Sequence, residues 1–297
     1  MPICGRATLK TAKPDLKRAR PLRRDKLMNR GARLLALASL LLVLFSLAGC
    51  NKLRARDQLN KGVQAYKNAK YEDAIEKFKN AVALDPSLIN ARLYLATAYA
   101  QQYIPGADTP DNNRMAEQAI HEYQDVLKMK ANDLNAIKGI AYLYLQMKKF
   151  DQAKDYYKKV IGVDPNDPEA YYSVAVIDWT ETYQPRMEQK AKLGLKPDEA
   201  IKDKKVCEEL RTKNQDVVKD GMTMLEKSIS LRPDYDDAMA YLNLMWREQA
   251  DIECGDPKAR EEDLKKADEW VKKTMATKAA KAEKQAGPGG ITLEKKD

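Results

Sequence analysis

Residues 134–167 read LNAIKGIAYLYLQMKKFDQAKDYYKKVIGVDPND, 34 residues that carry one two-helix pattern from start to stop. Ala141 and Ala153 are small where the two helices must approach closely. Tyr144, Phe150, Tyr157 and Val160 supply bulk around them, and Pro165, which lacks an N–H, ends the second helix. A helix pair of this size cannot bury its apolar face alone, so it must stack on similar neighbours.

The neighbours are present in register. Residues 55–88 hold Gly62, Tyr66, Tyr71, Ala74, Phe78, Ala81 and the pair Asp85-Pro86. Residues 89–133 hold Leu95, Ala96 and Tyr99, then Ala119, Tyr123 and Val126. Their two small residues are 23 apart, against 12 in 134–167, so 11 residues are inserted. A long loop is expected over Gln101 to Arg114, with Asp111 or Asn112 capping the helix that follows. In the fourth repeat, 168–235, Ala175 and Gly221 stand 46 apart, an insertion of 34 that equals one whole repeat. Asp198 to Leu231 lacks the punctuation of a repeat, so one long second helix is expected, preceded by a short one near Arg186 to Leu193. The fifth, 236–276, has Ala238, Leu242, Trp246, Ala267 and Val271 around a loop at Gly255-Asp256-Pro257, and no closing proline. Residues 277–297 pass from a Lys/Ala-rich stretch to Gly287-Pro288-Gly289-Gly290, the composition of a fraying helix end and a disordered tail.

These slots resemble the tetratricopeptide repeat over roughly residues 55 to 276. The resemblance implies an all-α fold, a right-handed α-solenoid of about five helix-turn-helix repeats with insertions in repeats 2, 4 and 5. It also implies a protein that holds partners, with the first helix of each repeat lining a groove. Carried over slot by slot, the lining is Leu59, Val63, Tyr66 and Lys67 in repeat 1, Leu93, Thr97 and Gln101 in repeat 2, and Lys138, Tyr142, Leu145 and Gln146 in repeat 3. Repeat 4 gives Tyr172, Val176, Trp179 and Thr180, and repeat 5 gives Leu244, Arg247 and Glu248. Such a surface suits an extended segment or a partner helix. Tyr142 and Tyr172 read equally as groove or as solenoid core, and Trp179 is expected to be exposed. One subset of the family grips a terminal carboxylate through lysine, asparagine and arginine at set slots. Those slots hold Leu59, Val63, Tyr94, Asn135 and Gly139 here, so that clamp is not expected.

Residues 34–48, LLALASLLLVLFSLA, are an apolar run behind Arg30 and Arg33. At about 1.5 Å per residue the run reaches roughly 22 Å, short of a hydrocarbon core of about 30 Å, and it reads as a secretory signal. Leu47-Ala48-Gly49-Cys50 resembles the bacterial lipobox, which implies cleavage before Cys50 and acylation of its thiol and new amino terminus. The other reading is an uncleaved anchor with an incidental cysteine. Several acyl chains hold a protein at a membrane where one holds only reversibly. The expected organisation is a leader over 1–49, with 28–49 the true signal and Met28 the true start, a lipidated linker over 50–54, and the array over 55–276. The expected site is the bacterial cell envelope, at the outer membrane facing the periplasm, because Asn51 is not the aspartate that retains enteric lipoproteins at the inner membrane.

The formal charge of +9 belongs to this leader. Residues 1–50 hold 11 of the 53 basic residues and 2 of the 44 acidic ones, which leaves 42 of each. A nucleic-acid partner is therefore not expected. Cys207 and Cys254 fall at the same topological place in consecutive repeats. They read either as a disulfide, worth roughly 4 kcal/mol in the chain-entropy model, or as two buried small hydrophobes.

No catalytic signature emerges. His121, the one histidine, falls beside Glu122 on a face that normally meets solvent, so neither a Ser/His/Asp arrangement nor a histidine zinc site is expected. Asp164, Asn166, Asp167 and Glu169 are turn and helix-start residues without the glycine and terminal glutamate of a calcium loop. No cofactor, metal or small-molecule substrate is expected. The function expected is a membrane-anchored scaffold or assembly factor for a protein partner. The alternative is an enzyme or specificity subunit whose site is built by the repeat 4 insertion, since long insertions are often functional.

Overall fold

The computed structural model describes residues 50–286, and the leader, the apolar run and the Gly287 to Gly290 tail lie outside them. Its contacts divide the chain at Arg54 and Ala55, and the unit from Ala55 onward contains the repeats. Among the described residues ten helices follow one another: α1 (50–67), α2 (Tyr71–Leu84), α3 (Ile89–Gln102), α4 (Pro110–Met129), α5 (Leu134–Gln146), α6 (Phe150–Val163), α7 (Pro168–Lys192), α8 (Lys204–Leu231), α9 (Asp236–Asp251) and α10 (Pro257–Ala286). From α2 onward each packs on the next, which is the stacking that the repeated small residues demand.

The helix boundaries have local causes. Asp133, Asp167 and Asp203 each accept a hydrogen bond from a backbone N–H of the first turn of α5, α7 and α8. Asp164 accepts from the N–H of Asn166 in the turn before α7. Close approach is visible at Gly62, where an added Cβ would lie 2.5 Å from the Phe78 ring of α2. The core runs from repeat to repeat. Phe78, Leu95, Tyr123, Ile140 and Leu143 join the first three repeats, Ala141, Ala153, Val160 and Val174 continue the packing, and Leu225, Leu242 and Met245 extend it into the last two.

Four expectations need correction. The insertion of repeat 2 lengthens α4, and the loop spans only residues 103–109. Thr109 caps α4 with Pro110 in its first turn, while Asn112 turns back and closes the loop, taking the Ile104 N–H on Oδ1 at 2.7 Å and donating from Nδ2 to Ile104 O and Ala107 O. The expected short helix from Arg186 is instead a continuation of α7 through Pro185, because Arg186 and Lys190 are anchored to α9 and the helix is held beyond the missing N–H. Finally, α10 continues to Ala286, past the predicted end of the array, since Ala, Lys and Glu are strong helix formers and Lys281 pairs with Asp236 of α9 at 2.5 Å.

The 34-residue insertion is thus a lengthened hairpin. α7 runs 25 residues and α8 runs 28, twice the 14 of α2 or α6, and the surplus from both folds over the α9–α10 turn. Ile201, Cys207, Leu210, Val218 and Ile252 form a small core of their own there.

Candidate functional site

The predicted lining residues divide into three groups. Leu59, Val63, Tyr66 and Leu93 are half-buried and pack against the first core, with Tyr66 edge-on to Tyr71 at 5.4 Å. Burial raises the Tyr66 hydroxyl above its ordinary range. Thr97 bonds its own helix at Leu93 O and meets the Tyr123 hydroxyl at 3.1 Å. These residues are mainly scaffold. Repeat 3 differs: Tyr142 is 52 % exposed on α5, one turn from Lys138, which is itself exposed and pairs with Asp167 at the start of α7. In repeats 4 and 5 an aromatic cluster forms. Tyr172 lies 5.1 Å from Tyr235 and 5.5 Å from Tyr241, and burial followed by the neighbouring hydroxyls pushes its pKa well up. Val176 is half-buried beside it on α7.

Trp179 was expected in solvent, but its ring stacks on Tyr183 at 4.6 Å and meets Tyr241 edge-on at 5.3 Å. The cause is the lengthened α7, which brings Tyr183 one turn beyond Trp179. Glu248, expected on the groove, is 1 % exposed and belongs to a buried ionic network instead. Arg247 stays near the surface, held by Asn243 Oδ1 at 3.0 Å and Asp268 at 2.8 Å.

That network was not legible in the sequence. Arg186 of α7 grips Glu248 of α9 with two parallel bonds of 2.8 Å, from Nε and Nη2, and donates from Nη1 to Asp251 at 2.5 Å. Lys190, one turn along, reaches Asp251 at 2.5 Å and the Pro197 carbonyl at 2.7 Å. Arg260 of α10 stands 3.5 Å from Asp251 and donates to the Asp198 carbonyl at 2.8 Å. Burial raises Glu248 against the pull of Arg186, and burial lowers Lys190 against the pull of Asp251. A periodicity of 3.6 reveals which face a residue occupies, but 62 residues separate Arg186 from Glu248, and no local pattern links them.

Cys207 and Cys254 are joined by a disulfide, with Cα atoms 5.6 Å apart. The bond fastens the extended α8 to the α9–α10 turn, and Arg211 adds a second tie by donating to Ile252 O at 2.7 Å. Cys50 is free and exposed at the start of the described residues. His121 is exposed and 4.0 Å from Asp125. Among the described residues no group of acidic, histidine or cysteine side chains could hold a metal ion, and no helix is long and apolar enough to cross a membrane.

Between α7, α9 and α10 lies a cleft of about 330 Å³ walled by Trp179, Tyr183, Met187, Leu244 and Leu264, with Arg247 and Arg260 at its polar side. Trp179 Nε1 and Arg260 Nε are buried and find no hydrogen-bond partner among the described residues. Each such donor costs about 1–3 kcal/mol while it is left unmatched.

Stacked helix pairs with small residues at the crossings and aspartate-proline punctuation make an all-α solenoid that resembles tetratricopeptide-repeat proteins. The family model for the tetratricopeptide repeat matches residues 113–177. Among solved structures, the MamA protein is similar at 13 % identity and a TM-score of 0.52, with 81 % of this chain and 98 % of that one covered. MamA from Desulfovibrio magneticus RS-1 is similar at 16 % identity and a TM-score of 0.51, with 76 % of this chain and 96 % of that one covered. At such identities the likeness is one of fold. No curated protein sequence matches the chain.

Proposed function

We propose that this chain is a membrane-anchored scaffold or assembly factor of the bacterial cell envelope. It holds an extended or helical segment of a protein partner against the first helices of its repeats. The observation that carries the reading is Tyr142, an aromatic residue more than half exposed in the central repeat at a slot where the family presents its ligand-facing side chains. A rigid amphipathic ring gives large contact area at low entropic cost, so selection of tyrosine there favours recognition. The anchor is supported by Leu47-Ala48-Gly49-Cys50 behind a charged and apolar leader, and by the exposure of Cys50. Placement at the outer membrane follows from Asn51 under the enteric sorting rule.

The repeat 4 insertion serves this binding role in the same reading, since its Arg186 and Lys190 are committed to Glu248 and Asp251, which fixes the geometry of the hairpin.

The lipidated protein is captured from membranes beside a Tyr142→Ala form, and co-purifying proteins are compared. Loss of a partner from the variant is expected, with unchanged helicity. Identical partner lists would count against the groove. Labelled palmitate should enter the wild type and not Cys50→Ser, and label in that variant would remove the anchor.

A further inference from the structure

Residues 50–54 are helical, so Cys50 is followed at once by ordered chain. Lys52, Leu53 and Arg54 are all exposed, and Leu53, at 72 %, is the most exposed large apolar side chain among the described residues. Arg56 comes next in the sequence, and the first acid after Cys50, Asp57, pairs with Lys61 at 2.7 Å. Lys52, Arg54 and Arg56 have no ion-pair or hydrogen-bond partner among the described residues. Cleavage before Cys50 puts all three in the first two turns of α1, where the helix dipole already places positive charge and bases are unfavourable. Helix stability does not account for them, and an anion outside the chain does.

The place of Cys50 says which anion. Acyl chains on its thiol and amino group fix this residue at the level of lipid headgroups. Four residues of helix rise about 6 Å, less than a screening length of about 8 Å at physiological salt, so Lys52 and Arg54 stay within the field of that surface. Anionic headgroups attract bases beside a membrane anchor, each worth about fivefold in binding. Leu53, between two of the bases, is an apolar side chain of the kind that enters the boundary of headgroup and hydrocarbon. We infer that the segment 50–56 is a second membrane contact, with Lys52, Arg54 and Arg56 on anionic phospholipid headgroups and Leu53 in the boundary below them. The assignment rests on the acylation of Cys50 proposed above and adds to the anchor a preference for lipid charge. Acyl chains alone hold the protein to any bilayer, whereas the bases select an anionic one.

The mature acylated chain carrying Leu53→Cys, labelled at that position with the environment-sensitive dye NBD, is reconstituted into vesicles of phosphatidylcholine alone and of phosphatidylcholine mixed with phosphatidylglycerol. Acylation of Cys50 and the Cys207–Cys254 bond leave the introduced thiol as the one to react. Emission is expected to be blue-shifted in the phosphatidylglycerol vesicles relative to the neutral ones, and the difference should vanish in about 0.5 M NaCl, where the screening length falls to about 4 Å. Lys52→Gln/Arg54→Gln/Arg56→Gln should abolish the difference while flotation with both kinds of vesicle persists, since the acyl chains are untouched. The same dye on Gln64→Cys, an exposed position further along α1, should report water in both lipids. Equal emission from residue 53 in the two lipids would overturn the assignment and leave the bases to an acidic polypeptide. A difference that survives salt or the triple variant, or an equal shift from residue 64, would also overturn it. Intact mass separates this contact from the anchor. An acylated chain whose dye ignores lipid charge loses the contact and keeps the anchor, whereas a chain without acyl mass loses both.

Discussion

Ala69 and Lys148 each hold the fifteenth position of their repeat, counted from Ala55 and Leu134, and each sits at φ 57° in left-handed backbone. A Cβ there meets the following carbonyl, at about 1–2 kcal/mol, and the turn keeps its shape because the helices on both sides are packed. Lys148→Gly is expected to stabilise by about 0.5–1 kcal/mol after the greater freedom of unfolded glycine is counted. A urea midpoint that fell would show that Lys148 has a role beyond the turn. Asp178 gives a pH-dependent counterpart. It is 0 % exposed, with Lys154 Nζ 2.6 Å from Oδ1 and no hydrogen-bond partner for Oδ2 among the described residues. Burial pushes its carboxyl from 3.8 up to about 6, against the opposing pull of Lys154. Between those values the native state binds the proton and the unfolded chain does not, so this group's contribution is largest below pH 3.8 and declines as pH rises through 6. Asp178→Asn should remove that decline, a difference on the order of 3 kcal/mol between the two stability profiles from pH 4 to pH 7. Parallel profiles would mean that the carboxyl is hydrated in solution.

At the scale of elements, the lengthened α7–α8 hairpin is held to α9 and α10 by one covalent bond and one buried ionic cluster. Removing Arg186 takes away the partner of both Glu248 oxygens and leaves a buried carboxylate uncompensated, so Arg186→Ala should cost about 3–5 kcal/mol, and adding Glu248→Ala should restore part of the loss. A double variant less stable than Arg186→Ala by the full cost of a second deletion would show that the pair is uncoupled. The two parts of this element were unequally readable. Ala175, Gly221 and Leu225 placed the crossing point of the helix pair from slot spacing alone, because the small residues that permit close approach are fixed by geometry. The path of the inserted residues was misread at Pro185, since a proline ends a helix only when nothing beyond it is anchored. The same limit applies to the site. Tyr142 and Tyr172 both stood on the expected lining, and only the approach of Tyr235 and Tyr241, at the start of α9 and within it, covers Tyr172 while Tyr142 stays exposed.

Across the repeats from Ala55 onward, each hairpin touches its neighbours and little else, so stability is a sum of local terms and need not be uniform. Repeats 1 to 3 rest on apolar packing around Phe78, Leu95 and Ile140, while repeats 4 and 5 add the Cys207–Cys254 bond across 47 residues and the Arg186 cluster. Reduction should therefore act regionally. Breaking the bond frees the α8 extension from the α9–α10 turn, Arg211 loses its fixed approach to Ile252, and the buried charges behind Trp179 gain water. In amide hydrogen exchange with and without reductant, faster exchange is expected over residues 182–217 and 248–260, with residues 71–163 unchanged. The bond is worth roughly 4 kcal/mol in the chain-entropy model, enough to raise the open population by about a thousandfold if the opening unit is local. Uniform acceleration from α2 to α10 would show that the array opens as one cooperative body, and the cleft at Trp179 would then share its stability with every repeat. Acceleration confined to the extension would make that cleft the part of the array whose order depends on the oxidation state of its surroundings.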